Sequence, residues 1–339
     1  MIADVEQLEE LLSRPPARLV EAMRGIEGDV LVLGAGGKMG PTLTRMAARA
    51  IAEAGTPSKV YAVSTFSNPE HRKRLDKAGV VTHAGDISDP KVVEALPNAK
   101  NVVYMVGRKF GSSGAEWDTW VANVLVPARI ADRYADANVV VFSSGNVYPL
   151  TAIELQGATE DTTPAPVGEY AMTCLGRERM FDHAAHHKGL RAAHYRLNYA
   201  VELRYGILVD VAEKVLRDEP IDVTMGYVNV VWQGYANAVA MELLAWCANP
   251  PFVLNVTGPE TVSVRALAER FGALFGKTPE IRGEEARTAL LSNATRCHTL
   301  FGLPEIGVDS MVDWVADWLL RGGATLNKPT HYETRDGRF

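Results

Sequence analysis

Apolar residues recur along this chain in short runs that are separated by longer amphipathic stretches. The first run, Val30–Leu33, ends at a glycine-rich loop, and an apolar repeat with helical spacing follows the loop. Further strand-like runs lie at 59–64, 80–83, 101–106, 138–143, 191–197 and 252–255. Helical patterns separate most of them, at 69–78, 89–96, 115–136 and 168–188. Strands that alternate with helices predict an α/β fold with a doubly wound parallel sheet.

The loop after the first strand reads Gly-Ala-Gly-Gly-Lys-Met-Gly. Glycines allow a tight turn and a close approach to a pyrophosphate, and a helix N-terminus offers free N–H groups. The flanking strand and helix supply the context that a glycine pattern needs. The sequence therefore predicts a dinucleotide site with these contacts in the loop: Gly34, Gly36, Gly37, Lys38, Met39 and Gly40.

The same pattern divides the chain into three parts. Residues 1–27 form a helical extension around Pro15-Pro16, and residues 28–200 form a Rossmann-type dinucleotide-binding domain. From 201 to 339 the alternation loosens, and helical patterns dominate at 207–217, 233–248, 263–275 and 309–321. We expect this part to be mainly a smaller substrate lobe, interleaved with the Rossmann domain and followed by a polar tail on the surface.

Composition narrows the class of protein. The net charge is −6 without a basic block, which argues against nucleic acid or an anionic membrane as partner. No apolar stretch reaches the length of a membrane span, and the acidic N-terminus lacks signal-peptide features. The scattered Cys174, Cys247 and Cys297 indicate neither a disulfide framework nor a zinc site. We expect a cytoplasmic protein without a metal, and a solvated helix face at His183 and His187 despite their i, i+4 spacing.

Several later motifs occur in a familiar order. They are Gly85-Asp86-Ile87-Ser88-Asp89, Phe142-Ser143-Ser144-Gly145-Asn146-Val147-Tyr148, Glu169-Tyr170, Arg196-Leu197-Asn198-Tyr199 and Leu254-Asn255-Val256-Thr257-Gly258-Pro259-Glu260. With the glycine loop they resemble the extended short-chain dehydrogenase/reductase family, the NAD-dependent epimerase/dehydratase group, over about residues 28–320. The resemblance implies an NAD(P)-dependent oxidoreductase or epimerase that acts on a hydroxyl or keto carbon of a sugar, sugar acid or nucleotide sugar. It also implies a homodimer with a helical interface, where Trp117 and Trp120 are candidates for the contact.

The resemblance assigns the chemistry to two residues. Ser144 would hold the substrate oxygen, while Tyr170 would act as general acid/base and contact the cofactor. Their positions suit these roles, because Ser144 ends a strand of an open α/β sheet and Tyr170 lies at the positive end of a helix. The resemblance also implies substrate contacts at Asn146 and Asn198, and cofactor contacts at Asp86, Ile87, Val106 and Gly107.

The chain departs from the family at Cys174, which stands where a lysine normally follows the tyrosine. That lysine binds the ribose and lowers the tyrosine pKa, which is otherwise about 10. Either the oxidised nicotinamide and the helix end suffice, or Arg177, His183 or Lys188 replaces the lysine, or the protein is a slow or non-redox member. Cys174 as a nucleophile is a further idea, although a small buried cysteine is commoner. The alternative function is therefore a catalytically impaired NAD(P)-binding sensor.

The end of the second strand bears on the choice between NAD and NADP. An acidic residue there binds the ribose 2′-hydroxyl of NAD, whereas basic residues favour a 2′-phosphate. The sequence has no acid at this point but offers the hydroxyls of Ser64, Thr65 and Ser67, with Arg72 and Arg74 on the next helix. This pattern leans slightly toward NADP, although the two arginines also suit a solvated helix face.

Overall fold

The computed structural model describes residues 1–109 and 114–338, and its centre is a seven-stranded parallel sheet. The strands are β1 (Val30–Leu33), β2 (Val60–Ser64), β3 (Val81–Ala84), β4 (Asn101–Tyr104), β5 (Asn138–Ser144), β6 (Arg191–Leu197) and β7 (Phe252–Val256). Their order across the sheet is β7-β6-β5-β4-β1-β2-β3, with every neighbouring pair parallel. The predicted α/β fold with a Rossmann-type sheet is confirmed.

Thirteen α-helices accompany the sheet in the described chain. They are α1 (Val5–Leu12), α2 (Ala17–Gly25), α3 (Gly40–Ala54), α4 (Pro69–Lys77), α5 (Pro90–Glu94), α6 (Glu116–Trp120), α7 (Val126–Arg133), α8 (Glu169–Lys188), α9 (Ile207–Leu216), α10 (Gln233–Glu242), α11 (Val264–Phe275), α12 (Thr295–Phe301) and α13 (Val308–Leu320). The sequence pattern predicted most of these helices to within a few residues, whereas α12 was not predicted.

The apolar run of β1 explains why this strand lies at the centre. Val30 and Val32 belong to the core on one face of the sheet, and Leu31 and Leu33 belong to the core on the other face. All four side chains are fully buried. Each such burial contributes about 1.5–3 kcal/mol, so the strand that carries the glycine loop is firmly held.

One predicted helix is interrupted. The pattern at 115–136 predicted a continuous α-helix, but a π-helical turn at Val121–Leu125 separates α6 from α7. Pro127 lies in the first turn of α7 and has no N–H to donate to a carbonyl four residues earlier. This missing donor accounts for the wider turn at that place.

The remaining strands form four short pairs around the sheet. They are Thr151–Ala152 with Thr288–Ala289, Ala200–Val201 with Val231–Trp232, Ile221–Asp222 with Ile281–Arg282, and Tyr227–Val228 with Val262–Ser263. Helices α9, α11 and α13 contribute to a separate apolar core, and the chain returns to the main sheet in β7. The strand order reverses between β1 and β4, and open α/β sheets bind their ligands in the crevice at this point.

Candidate active site

The glycine loop Gly34–Gly40 lies at the carboxyl end of β1 and leads directly into α3. Gly34 has a φ of +94°, which L side chains rarely adopt. A Cβ on Gly40 would lie 2.6 Å from the carbonyl oxygens of Gly34 and Ala35, so the helix begins tight against the loop. The first turn of a helix has N–H groups without intrahelical partners. The loop and the helix end therefore fit a pyrophosphate.

The hydroxyl residues predicted near the cofactor ribose lie at the end of β2. Ser64 is the last residue of this strand, and its Oγ would lie only 2.6 Å from a Cβ on Gly36. Thr65 and Ser67 are exposed. Ser64 therefore contacts the glycine loop, and Thr65 and Ser67 follow it in the exposed segment after β2.

The other predicted cofactor residues lie at the ends of β3 and β4. The Asp86 carboxylate accepts the N–H of Ser88 at 2.9 Å, while Ile87 is buried in the core. Val106 is in van der Waals range of Gly34, since its Cγ2 would lie 3.1 Å from a Cβ there. Gly107 follows Val106 at the carboxyl edge of the sheet. Val106 is therefore the residue of this group that contacts the glycine loop.

The two arginines that favoured NADP have partners on neighbouring elements. Arg72 Nε donates to Thr82 Oγ1 at 3.0 Å, and Arg74 lies 3.9 Å from the Glu9 carboxylate. His71 lies nearer to the glycine loop, with Nδ1 3.3 Å from the Gly36 carbonyl oxygen. The basic group beside the loop is therefore a histidine that the sequence argument did not emphasise.

Ser144 and Tyr170 come together at the carboxyl edge of the sheet. Ser144 is the last residue of β5, Tyr170 is the second residue of α8, and a hydrogen bond links their side chains. Ser144 Oγ also accepts the Asn146 backbone N–H at 3.2 Å and its Nδ2 at 3.0 Å. Ser144 thus caps a turn and also contacts Tyr170.

Burial dominates the electrostatics of Tyr170. It raises the pKa of the phenol well above the usual range, and the neighbouring Cys174 adds to this rise. The Arg177 guanidinium and the Ser144 hydroxyl act in the opposite direction. Cys174 itself is fully buried, and burial raises the pKa of its thiol. At neutral pH both groups are protonated, so the Tyr170 hydroxyl can donate a proton while Cys174 is not a thiolate.

Arg177 lies on the same helix and is fixed by its hydrogen bonds. Its Nη1 donates to the Phe142 carbonyl oxygen at 2.6 Å, and its Nη2 donates to Asn123 Oδ1 at 2.8 Å. The side chain also fills the space beside Gly107, where a Cβ would lie 2.4 Å from Nη2. Arg177 therefore contributes a fixed positive charge near Tyr170.

Two lysines line the same cavity as Ser144 and Tyr170. Lys38 Nζ donates to the Ala200 carbonyl oxygen at 2.8 Å and lies 3.6 Å from the centre of the Tyr205 ring. Lys109 Nζ lies 5.8 Å from the centre of the Tyr170 ring. Burial lowers the pKa of Lys38 to about 7 and that of Lys109 to about 8. The sequence interpretation missed Lys109, although it follows the predicted contacts Val106 and Gly107 by two residues.

Asn123 fixes the loop that carries Lys109. Its Oδ1 accepts the Arg108 N–H at 2.8 Å, and its Nδ2 donates to the Arg108 carbonyl oxygen at 2.9 Å. The same Nδ2 donates to Thr173 Oγ1 at 2.9 Å, and that hydroxyl donates to the Tyr170 carbonyl oxygen at 2.8 Å. One asparagine thus connects the Lys109 loop to the helical turn that begins with Tyr170.

The C-terminal tail takes part in the site, contrary to the expectation of a surface tail. Thr330 lines the cavity and is buried, and its carbonyl oxygen accepts from Lys109 Nζ at 3.1 Å. The Asp210 carboxylate on α9 accepts the Thr330 N–H at 2.8 Å and the Thr330 hydroxyl at 2.5 Å. Tyr332 is buried in the lobe core. The polar composition of the tail predicted exposure because it does not reveal these long-range contacts.

The predicted substrate residues border a small cavity. Asn146 and Asn198 line it with Ser144, Tyr199 and Tyr205, and its volume is about 180 Å³. Asn198 is buried, and its Nδ2 donates to the Leu290 carbonyl oxygen at 3.3 Å. The structure therefore brings Ser144, Tyr170, Asn146 and Asn198 together, and it adds Tyr199, Tyr205, Lys109 and Thr330 to them.

Two proposed replacements for the missing lysine do not reach Tyr170. Lys188 is the last residue of α8 and pairs with Asp132 at 2.6 Å. His183 stacks on His187 with the ring centres 4.4 Å apart, more than three turns along the helix from Tyr170. The expectation that either side chain approaches Tyr170 is wrong, because α8 is one continuous helix and both residues lie more than three turns beyond Tyr170.

The described residues show neither a cluster of metal ligands nor a membrane-spanning helix. Within residues 1–109 and 114–338, no group of three or more His, Cys, Asp and Glu side chains could hold a metal ion. In the same part of the chain, no helix is both long and apolar enough to cross a membrane.

The fold and the site define a dinucleotide-binding α/β protein with a serine–tyrosine pair beside the glycine loop. The sequence model of the NAD dependent epimerase/dehydratase family matches residues 30–201, just over half of the chain. The chain therefore belongs to this family, which the motifs predicted through the extended short-chain dehydrogenase/reductase type. No curated protein matches the sequence.

Solved structures share the fold at low sequence identity. MoeE5 in complex with UDP-glucose and NAD is 22% identical, with a TM-score of 0.69 over 87% of this chain and 99% of that chain. UDP-glucose 4-epimerase from Thermotoga maritima, solved with UDP-glucose, is 15% identical, with a TM-score of 0.71 over 87% and 99%. UDP-glucuronic acid 4-epimerase from Bacillus cereus, solved with NAD, is 15% identical, with a TM-score of 0.71 over 86% and 99%. These likenesses agree on the fold.

Proposed function

We propose that this protein is an NAD(P)-dependent oxidoreductase or epimerase that acts on a hydroxyl or keto carbon of a sugar-like substrate. The observation that carries the proposal is the hydrogen-bonded pair of Ser144 and Tyr170, which lines a cavity at the carboxyl edge of the sheet. The glycine loop contributes Lys38 and Met39 to the same cavity. A bound dinucleotide would therefore have its reactive end close to the pair.

Tyr170 would transfer the proton of the reaction, and Ser144 would hold the reacting oxygen. When bound, the nicotinamide would accept a hydride from the substrate carbon or return it. In the oxidising direction the Tyr170 phenolate, formed by prior loss of its proton to solvent, takes the hydroxyl proton, and the carbon–oxygen bond becomes a carbonyl. In the reducing direction the protonated Tyr170 donates that proton to the carbonyl oxygen. Ser144 Oγ holds the reacting oxygen in both directions.

The cavity bears on the substrate class. Ligand pockets usually have about 300–1,000 Å³, and this cavity has about 180 Å³. It accommodates the reacting sugar unit, so any nucleotide attached to that unit would extend beyond it. The amides of Asn146 and Asn198 suit hydroxyl groups, and the ammonium groups of Lys38 and Lys109 suit a carboxylate. A sugar, a sugar acid or the sugar of a nucleotide sugar fits these groups, as the UDP-sugar complexes of similar folds also suggest.

We propose that the cofactor site accepts NADP as well as NAD. The strand end carries the hydroxyl residues Ser64, Thr65 and Ser67 and has no carboxylate to repel a 2′-phosphate. His71 lies beside the loop and can donate to such a phosphate. The similar structures that hold NAD support the dinucleotide but not the choice between the two forms.

Turnover tests the proposed function. Wild-type protein is supplied with NAD⁺ or NADP⁺ and with a panel of sugars, sugar acids and nucleotide sugars, and reduced nicotinamide or a change of epimer is measured. We expect activity with at least one substrate, and binding of NADP⁺ at least as tight as that of NAD⁺. If the wild type binds the cofactor but only Cys174→Lys creates activity, the sensor interpretation is correct instead.

We also propose a homodimer that forms through the helices around the π-helical turn. Five apolar side chains are exposed there: Trp117 (67%), Trp120 (41%), Val121 (40%), Leu125 (44%) and Met172 (39%). A cluster of large apolar groups on one face is typical of an interface. A second copy of the chain is the occupant that the family resemblance implies.

The double variant Trp117→Asp/Leu125→Asp tests this surface. We expect a dimeric wild type and a monomeric variant, because buried and unpaired carboxylates oppose association. Light scattering after size exclusion measures the mass. Leu303→Asp alters an equally exposed side chain elsewhere (63% exposed) and serves as the control. A monomeric wild type, or a variant that remains dimeric, would contradict the proposed interface.

We propose that the chain is divided at about residues 27 and 200 into a helical extension, a dinucleotide-binding domain and a substrate lobe. Three buried, unpaired cysteines support a reducing compartment such as the cytoplasm. Limited proteolysis and localisation of a tagged chain test these two statements.

A further inference from the structure

We propose that Lys109 supplies the positive charge beside Tyr170 that the family normally takes from the residue now replaced by Cys174. This inference rests on the proposed function. Lys109 Nζ lies 5.8 Å from the centre of the Tyr170 ring, and both residues line the same cavity. Lys109 also lies close enough to Cys174 to affect the pKa of its thiol. A second cation thus comes from the loop after β4 and adds to the charge of Arg177 on α8.

The structure holds Lys109 in place at both ends. Asn123 binds the backbone N–H and carbonyl of the preceding residue, Arg108, and also reaches the turn of α8 that contains Tyr170. At the other end, the Thr330 carbonyl oxygen accepts from Nζ, and Asp210 fixes Thr330. A cation that is fixed before the reaction stabilises a phenolate without reorganisation.

Other cations near the site are less suited to this role. Arg177 donates its two terminal nitrogens to Phe142 and Asn123, which fixes it against β5 and the π-helical turn. Lys38 donates to Ala200 and stacks on Tyr205. Lys109 has a partner in the Thr330 carbonyl oxygen as well, and its Nζ lies 5.8 Å from the centre of the Tyr170 ring.

The charge of Lys109 should change how the rate of substrate oxidation depends on pH. The charged and titratable groups around the pair are Cys174, Arg177, Lys38, Asp210 and Glu333. In the oxidising direction Tyr170 must accept a proton, so the rate rises with pH. Lys109 carries its charge below a pKa of about 8, and a phenolate beside it would extend that range upward. The paired charges favour the phenolate and move the rise to lower pH. Removal of the cation moves it to higher pH.

The first experiment compares Lys109→Met with Lys109→Arg. For Lys109→Met we expect the rising part of the kcat/KM profile to shift upward by about one pH unit or more. Lys109→Arg retains the charge and should stay within about half of that shift. Lys188→Met removes a lysine at the far end of α8, where it pairs with Asp132, and should leave the position of the rise unchanged. An unshifted profile in Lys109→Met would overturn the proposal.

A rescue experiment tests whether the two positions are equivalent. In Lys109→Met/Cys174→Lys, the cation returns at the family's usual position, and we expect most of the upward shift to disappear. Circular dichroism and thermal melting establish that this variant is folded, since Cys174 is fully buried. If it does not fold, the contrast between methionine and arginine at position 109 still decides.

Two measurements do not depend on turnover. The dissociation constant for NAD⁺, measured by calorimetry, should change less than about threefold in Lys109→Met, which is under 1 kcal/mol. A loss of more than about tenfold with an unchanged Tyr170 titration would show that Lys109 binds the cofactor instead. The ultraviolet phenolate signal of Tyr170, taken as the difference from Tyr170→Phe, should titrate at higher pH in Lys109→Met. Because this signal is independent of activity, failure of the proposed function and failure of this inference remain distinguishable.

Discussion

Replacement of Tyr170 by phenylalanine is expected to lower kcat/KM by about 10²–10⁴-fold, the usual contribution of a general acid/base. The variant loses the hydroxyl that exchanges the proton with the substrate but keeps the ring that packs beside Cys174. Cofactor binding should therefore stay within about twofold of the wild type, which corresponds to less than 0.5 kcal/mol. Steady-state rates and calorimetry measure the two quantities.

Tyr134→Phe is the matched control for this substitution. Tyr134 directly follows α7 and does not line the cavity. Its hydroxyl donates to the Pro97 carbonyl oxygen at 2.9 Å. We expect this variant to retain the wild-type rate. A Tyr170→Phe enzyme with more than half of the wild-type kcat/KM would remove Tyr170 from the proposed role.

Loss of the Glu178 carboxylate is expected to destabilise the fold by about 3–5 kcal/mol, as for other buried ion pairs from which one partner is removed. Glu178 and Arg196 are bound by two contacts of 2.9 and 2.6 Å, and their side chains are only 1% and 6% exposed. The same carboxylate accepts from Ser143 Oγ at 2.5 Å, directly beside Ser144. Glu178→Leu leaves Arg196 charged and without this partner in the interior. Urea unfolding measures the difference.

The double variant Glu178→Leu/Arg196→Met separates the pair from its isolated charge. It should be less destabilised than Glu178→Leu alone, because no unpaired charge remains buried. Lys188→Ala breaks an exposed ion pair on the same helix and should cost less than about 1 kcal/mol. Equal stability of Glu178→Leu and Lys188→Ala would contradict this account of the core beneath Ser144.

The pair also predicts the direction of the acid response. Burial alone would raise the pKa of Glu178, but Arg196, His194 and the Ser143 hydroxyl hold it below the usual range. Its contribution to stability is therefore complete above the unfolded pKa of about 4.3 and is lost as the pH falls through the lower folded value. This loss should be absent in the double variant.

The sequence predicted the sheet because parallel strands that are buried on both faces consist of continuous apolar residues, as in Val30–Leu33. The resemblance of its motifs to a known family pointed to Ser144 and Tyr170, whose roles stay predictions. The π-helical turn at Val121–Leu125 was not predicted, since the apolar repeat there is compatible with an ordinary helix. The local pattern thus predicted the strands and the glycine loop, and the family resemblance proposed the serine–tyrosine pair.

The missed residues share one property, which is that their place depends on distant parts of the chain. Thr330 comes from a polar tail and reaches the cavity through its bonds to Asp210 and Lys109. Lys109 follows the predicted cofactor contacts, but its relation to Tyr170 depends on the hydrogen bonds of Asn123. No local pattern encodes such contacts, so the replacement that we propose for the missing lysine could not be predicted from the sequence.

The most direct test of the central claim is a crystal structure of the wild-type protein grown with saturating NAD⁺ or NADP⁺. We expect a bound dinucleotide with its pyrophosphate against Gly34–Gly40 and its nicotinamide ring facing Ser144 and Tyr170. A glycine loop without nucleotide under these conditions, or a nicotinamide directed away from the Ser144–Tyr170 pair, would contradict it.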